Sequence, residues 1–126
     1  MEPITASDIF AWALALLGET PQKSRGYEQL AAPVLNQLLM RCYQTENALR
    51  RARGQIPLEC PATVQELGEP VDYDTRLCRE ILPLGLAALL ILEDDPQRAA
   101  FFDWRFQSSL EQCAPAQFVP MEDCYP

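Results

Sequence analysis

The sequence predicts an all-α domain: about four helices packed antiparallel around a central, proline-bent apolar helix, with a long loop and an extended C-terminal tail. Three observations lead there. Residues 81–92 form a run of twelve without a charge or a side-chain hydrogen-bonding group, closed by Glu93, Asp94 and Asp95. A helix that apolar needs cover on nearly all sides. Elsewhere, apolar residues recur at spacings of three and four, the helical period. The five glycines are scattered as helix stops and turns and form no motif.

The first helix is expected over residues 6–17. Thr5 or Ser7 can cap its free amides and Asp8 suits its first turn. Ile9, Phe10, Ala13, Leu14, Leu16 and Leu17 make a broad apolar face, and Gly18 tolerates the left-handed conformation past a helix end. After a polar connection, a long second helix is expected over 27–53, stopping at Gly54. Its apolar positions are Leu30, Val34, Leu35, Leu38, Leu39, Cys42 and Leu49. Pro33 marks either a kink or the true first turn; one helix with an irregular first turn is the preferred reading.

Residues 55–71 hold Pro57, Pro61, Gly68 and Pro70 and have no helical period. Residues 56–58 and 63–67 are candidates for short strands or a 3₁₀ turn. So long a connection in a small domain suggests a contact surface. The third helix should start near Asp74 or Thr75 and run to Leu92, bent at Pro83, which lacks a backbone donor. Asp95-Pro96 has the form of an N-cap followed by proline at the first helical position. The fourth helix then covers 96–112, with Ala99, Phe102, Phe106, Leu110 and Cys113 as its inward stripe. The core is expected to centre on Leu14, Leu17, Leu35, Leu38, Leu86, Leu89, Leu90, Phe102 and Phe106. Residues 1–113 make the helical domain and 114–126 the tail.

At 126 residues the chain can build one hydrophobic core without staples. Eighteen acids against ten bases give a formal charge of −8, and Lys23 is the lone lysine. That balance opposes non-specific nucleic-acid binding, which needs many basic contacts to phosphate. The five cysteines form no CxxC pair and no even framework, so reduced thiols are expected, with Cys124 the most open to oxidation. The apolar run falls short of the ~20 residues that span a bilayer, and the N-terminus lacks a signal-peptide layout. A cytoplasmic or virion-internal location is expected.

Histidine is absent, which removes Ser-His-Asp and Cys-His catalysis and the commonest metal ligand. No phosphate-binding glycine loop or nucleophile elbow occurs. No catalytic residue, cofactor site or metal site is expected. The carboxylates Asp72, Asp74, Glu93, Asp94 and Asp95 lack calcium-loop spacing and read as caps and solvated turns. Arg50, Arg51 and Arg53 either complement the second helix's negative end or contact a partner's phosphate or carboxylate. On the fourth helix, Phe101 and Trp104 lie on one side and Phe102 and Phe106 on another. Both pairs cannot face one core, so Phe101 and Trp104, with neighbouring Arg105, are a candidate subunit contact. Phe118 and Tyr125 of the apolar tail complete the candidate interface.

The order of segments is similar to that seen in a known family. LNQLLMRCYQTENALRRARG, a proline-rich connection, ELGEPVDYDTRLCREILPLGLAALLILEDD and AAFFDWRFQSSLEQC together resemble small head–tail connector (neck or head-completion) proteins of tailed phages and prophages. The matching residues are Leu35-Asn36, Leu38-Leu39, Asp72-Tyr73-Asp74, Leu82 to Ala87 and Leu92 to Asp95, within residues 27–113. The resemblance implies a non-enzymatic helical adaptor, assembled as a homo-oligomeric ring on the portal vertex and monomeric when isolated. It implies the portal and neighbouring neck or tail proteins as partners, and a virion (neck) and bacterial cytoplasmic location. Rings of this family often have an acidic lumen, which agrees with the charge and makes packaged DNA a partner at most in passing. The alternative is a small cytoplasmic protein-interaction or regulatory domain that binds through its fourth helix.

Overall fold

The computed structural model describes residues 3–18 and 25–115. It holds four helices: α1 (Ala6–Leu17), α2 (Arg25–Ala52), α3 (Leu82–Leu90) and α4 (Pro96–Cys113), with a π-helical turn (Leu77–Ile81) leading into α3. Among the described residues there is no strand, only an isolated antiparallel bridge between Thr5 and Pro70. The candidate strands at 56–58 and 63–67 are therefore irregular backbone. The fold is all-α, and α3 packs against each of the other three helices.

Local chemistry explains the helix ends. Thr5 is the α1 N-cap: its hydroxyl accepts from the Asp8 amide, and the Asp8 carboxylate accepts from the Thr5 amide at 3.0 Å. Two further free amides of that end, Ala6 and Ser7, donate to the carbonyls of Glu69 and Leu67 at 2.9 and 2.6 Å. The long loop thus closes the start of α1. Gly18 (φ 71°) and Gly54 (φ 75°) take the left-handed conformation that ends α1 and α2. Asp95 caps α4 by accepting from the Arg98 amide, with Pro96 at the first position.

Two of the differences from expectation lie at prolines. Pro33 sits more than two turns inside α2, which begins at Arg25, not in its first turn. Both Pro33 and Gln29 are exposed, so the carbonyl that loses its helical donor is open to water. Pro83 follows a π-helical turn in which the Leu82 amide reaches five residues back to Leu77. Widening the helix just before a proline relieves the clash between its ring and the preceding turn.

The apolar run behaves as a central core helix: residues 81–88 are all buried. Leu17, Leu35, Leu38, Leu86, Leu90, Phe102 and Phe106 join it in the core. Leu14 and Leu89 are only partly buried, and Leu110 likewise. Leu89 lines a shallow cleft with Leu92, Pro96 and Ala99 where α3 turns into α4, so it loses the full cover given to Leu86.

Candidate protein-interaction surface

α4 is two-sided. Ala99, Phe102, Phe106 and Cys113 are buried, spaced three, four and seven apart. Phe101 and Trp104 are three residues apart on the opposite side, 54% and 65% exposed. Phe101 meets Phe102 edge-on, with ring centroids 5.8 Å apart, and the Arg105 guanidinium lies 5.8 Å from the Phe101 centroid. The three α4 residues predicted as an interface therefore share one outward face. The helix is held from below. Arg41 of α2 sits 4.7 Å from the Phe106 ring centroid and pairs with Asp103 at 3.8 Å, while Arg98 lies 5.7 Å from the Phe102 centroid. The aromatic pair therefore stands on a helix whose backbone is already fixed, which lowers the ordering cost of binding.

The arginine group lies elsewhere, at the end of α2, and is mostly used internally. Arg50 donates from Nε to Glu46 Oε2 at 2.7 Å and from Nη2 to the Asp72 carbonyl at 2.8 Å. Arg53 pairs with Asp74. Burial alone would lower the Arg50 guanidinium, but the hydrogen bonds and charges of Glu46 and Asp72 outweigh it and raise it above its ordinary value. Arg51 is exposed. Arg50 and Arg53 thus fasten the segment that follows the loop to α2, and Arg51 and part of Arg53 face solvent. Phe118 and Tyr125 lie outside the described residues, as does Cys124.

The polar ladder under the loop was missed in the sequence. Asn36 makes a two-point amide pair with Val64, donating to its carbonyl and accepting from its amide, both at 2.8 Å. Asn47 does the same to Leu58 at 3.1 and 2.7 Å, and the Tyr43 hydroxyl donates to the Leu58 carbonyl at 2.8 Å. Asn36 and Asn47 are eleven residues apart, close to three helical turns, so they lie on one α2 face. Farther along, buried Glu46 accepts from the Asp74 amide at 2.7 Å, and Tyr73 donates to the Leu39 carbonyl at 2.7 Å. The recurrence of Asn36, Tyr43, Glu46, Asn47 and Arg50 at helical spacing was the available signal. Those residues order the loop and the segment that follows it.

Three of the four described thiols are shielded by the fold. Burial pushes Cys42 and Cys78 up to about 12 and raises Cys113, while Cys60 is exposed. Among the described residues no group of three or more His, Cys, Asp or Glu side chains is placed to hold a metal, and no helix is long and apolar enough to cross a membrane. Compared with protein-family models, curated proteins and solved structures, the chain matches none.

Proposed function

We propose that this chain is a non-enzymatic structural adaptor of the head–tail connector kind, which assembles on a portal vertex in the virion neck and helps join head to tail. The observation that carries the reading is the outward face of α4, where Phe101 and Trp104 stand in solvent on a helix whose other side is locked in the core. Aromatic side chains of this size on a rigid element are the usual anchors of protein–protein contacts. The loop fastened along α2 offers a second ordered surface, and the order of sequence segments supports the family. The same α4 face also serves the alternative, a small cytoplasmic interaction or regulatory domain. Flanking portal, capsid and tail genes would favour the adaptor, and a transcriptional operon the alternative.

Light scattering of the purified protein, alone and with the cognate portal, tests the proposal. Trp104→Asp should leave the melting transition unchanged and weaken portal binding at least about tenfold, as loss of an interface anchor does. A chain that ignores the portal at every concentration would count decisively against it.

A further inference from the structure

We infer that the groove between α1, α3 and α4 receives an acidic turn of a second copy of this chain, the Leu92-Glu93-Asp94 corner that joins α3 to α4. The groove is lined by Trp12 and Leu16 of α1 and Leu84 of α3, with Arg79 of the π-helical turn and Arg105 of α4. Each arginine lies against an aromatic ring, Arg79 5.2 Å from the Trp12 centroid and Arg105 5.8 Å from the Phe101 centroid. Among the described residues, Arg51, Arg79, Arg98 and Arg105 have no carboxylate within ion-pair distance, whereas Arg41, Arg50, Arg53 and Arg76 do. Two of those four unbalanced arginines line this groove. Its one acid, Glu80, pairs with Arg76 at 3.7 Å. A chain of net charge −8 therefore carries one apolar groove edged by uncompensated positive charge.

The α3–α4 turn complements that lining. Leu92 is 52% exposed, and Glu93 and Asp94 are exposed beside it. Among the exposed large apolar side chains of the described residues, Leu92 alone is followed directly by acids. Asp94 accepts from the Tyr27 hydroxyl at 2.7 Å and Asp95 caps α4, but Glu93 has no partner among the described residues. Leu92 suits Trp12 and Leu16, and Glu93 suits the two arginines, so apolar and charged halves match together. Spacing makes the occupant another copy. Leu84 and Leu92 are eight residues apart, about 12 Å at helical rise. Groove and turn thus lie at opposite ends of the α3–α4 pair, and no copy can fill its own groove. The contact joins two different patches, so each copy offers a groove to one neighbour and a turn to another.

Sedimentation of the isolated chain should show reversible association that grows with concentration, since so small a contact holds weakly. Arg79→Glu with Arg105→Glu sets like charges against the turn and should weaken association at least about tenfold. Leu92→Ser with Glu93→Gln should do the same from the other side. All four positions are exposed, so both variants should melt as the wild type does. Each variant keeps one intact patch. A mixture of the two should therefore recover association and stop at pairs of unlike copies. A mixture that associates no better than either variant alone would refute the head-to-tail contact. So would a wild-type chain that stays monomeric at its highest soluble concentration. If the groove variant does not fold, the turn variant decides, and unchanged association in it is equally fatal. Association lost only in Trp104→Asp would move the contact to the outer α4 face and overturn this one. The inference deepens the connector reading, and the two fail separately. Portal binding without the groove contact would sink only this inference, and the reverse would sink only that reading.

Discussion

Gly85 shows how a single atom decides helix spacing. A Cβ at that position would lie 2.8 Å from Leu38 Cδ2 and 2.9 Å from Phe106 Cδ1. Both neighbours are fully buried, so α2 and α4 close on α3 where it has no side chain. Alanine gains about 1 kcal/mol of helix propensity, while overpacking a filled core costs about 1–3 kcal/mol. We expect Gly85→Ala to lose about 1 kcal/mol in urea denaturation, with Gly85→Val worse; a more stable alanine variant would show that the helices can part. Glu46 is the other decisive residue. Its buried carboxylate serves both Arg50 and the Asp74 amide, so Glu46→Ala should cost about 2 kcal/mol by stranding that amide and leaving Arg50 only its Asp72 contacts. Glu46→Gln should cost less, because it can still accept from Asp74. Denaturant midpoints of the two variants would rank them. Among the thiols of the described residues, Cys60 should react first with an aromatic disulfide reagent, and its share of the fast phase should vanish in Cys60→Ser. Cys42, Cys78 and Cys113 should wait for unfolding.

At the scale of elements, periodicity and caps made the helices legible. Thr5, Gly18, Gly54 and Asp95 each do in the fold what their residue type suggests. The α4 face was legible too, because Phe101-Trp104 and Phe102-Phe106 cannot share one core. Pro33 misled because a proline inside a helix is tolerated where the freed carbonyl meets water, and exposure is a tertiary fact. The loop was legible only as a loop. Arg50 and Arg53 find partners 22 and 21 residues away, and Asn36 finds Val64 28 residues away, pairings that no local pattern encodes. The loop should therefore depend on α2 side chains. Asn47→Ala removes two bonds to Leu58 and leaves its amide without that acceptor, for an expected loss of about 2 kcal/mol. Asn47→Asp keeps the acceptor and loses the donor, so it should fall between the two in denaturant midpoint.

For the whole molecule, α3 is the element every other helix needs. A charge at Leu86, fully buried, should prevent cooperative folding, whereas one at half-covered Leu89 should be milder; circular dichroism melts separate them. Alkaline pH acts on the same core. Cys42 and Cys78 rise from 9.0, and Tyr73 from 10.0, each to about 12 and each chiefly through burial. The folded state therefore holds these protons more tightly than the unfolded chain does. That contribution to stability is complete below about pH 9 and is lost as pH climbs towards 12, so the melting temperature should fall across that window. A flat profile there would show the three groups to be less enclosed than they look.

The amide pairs of Asn36 and Asn47 have a consequence for exchange with heavy water. The Val64 and Leu58 amides belong to no regular element, yet each is tied to a side chain of a long helix. Their deuterium uptake should be as slow as that of neighbouring α2 amides, and both should accelerate together when α2 opens. Loop and helix would then share a single opening event, and the segment that looks most like a connection would behave as part of the scaffold.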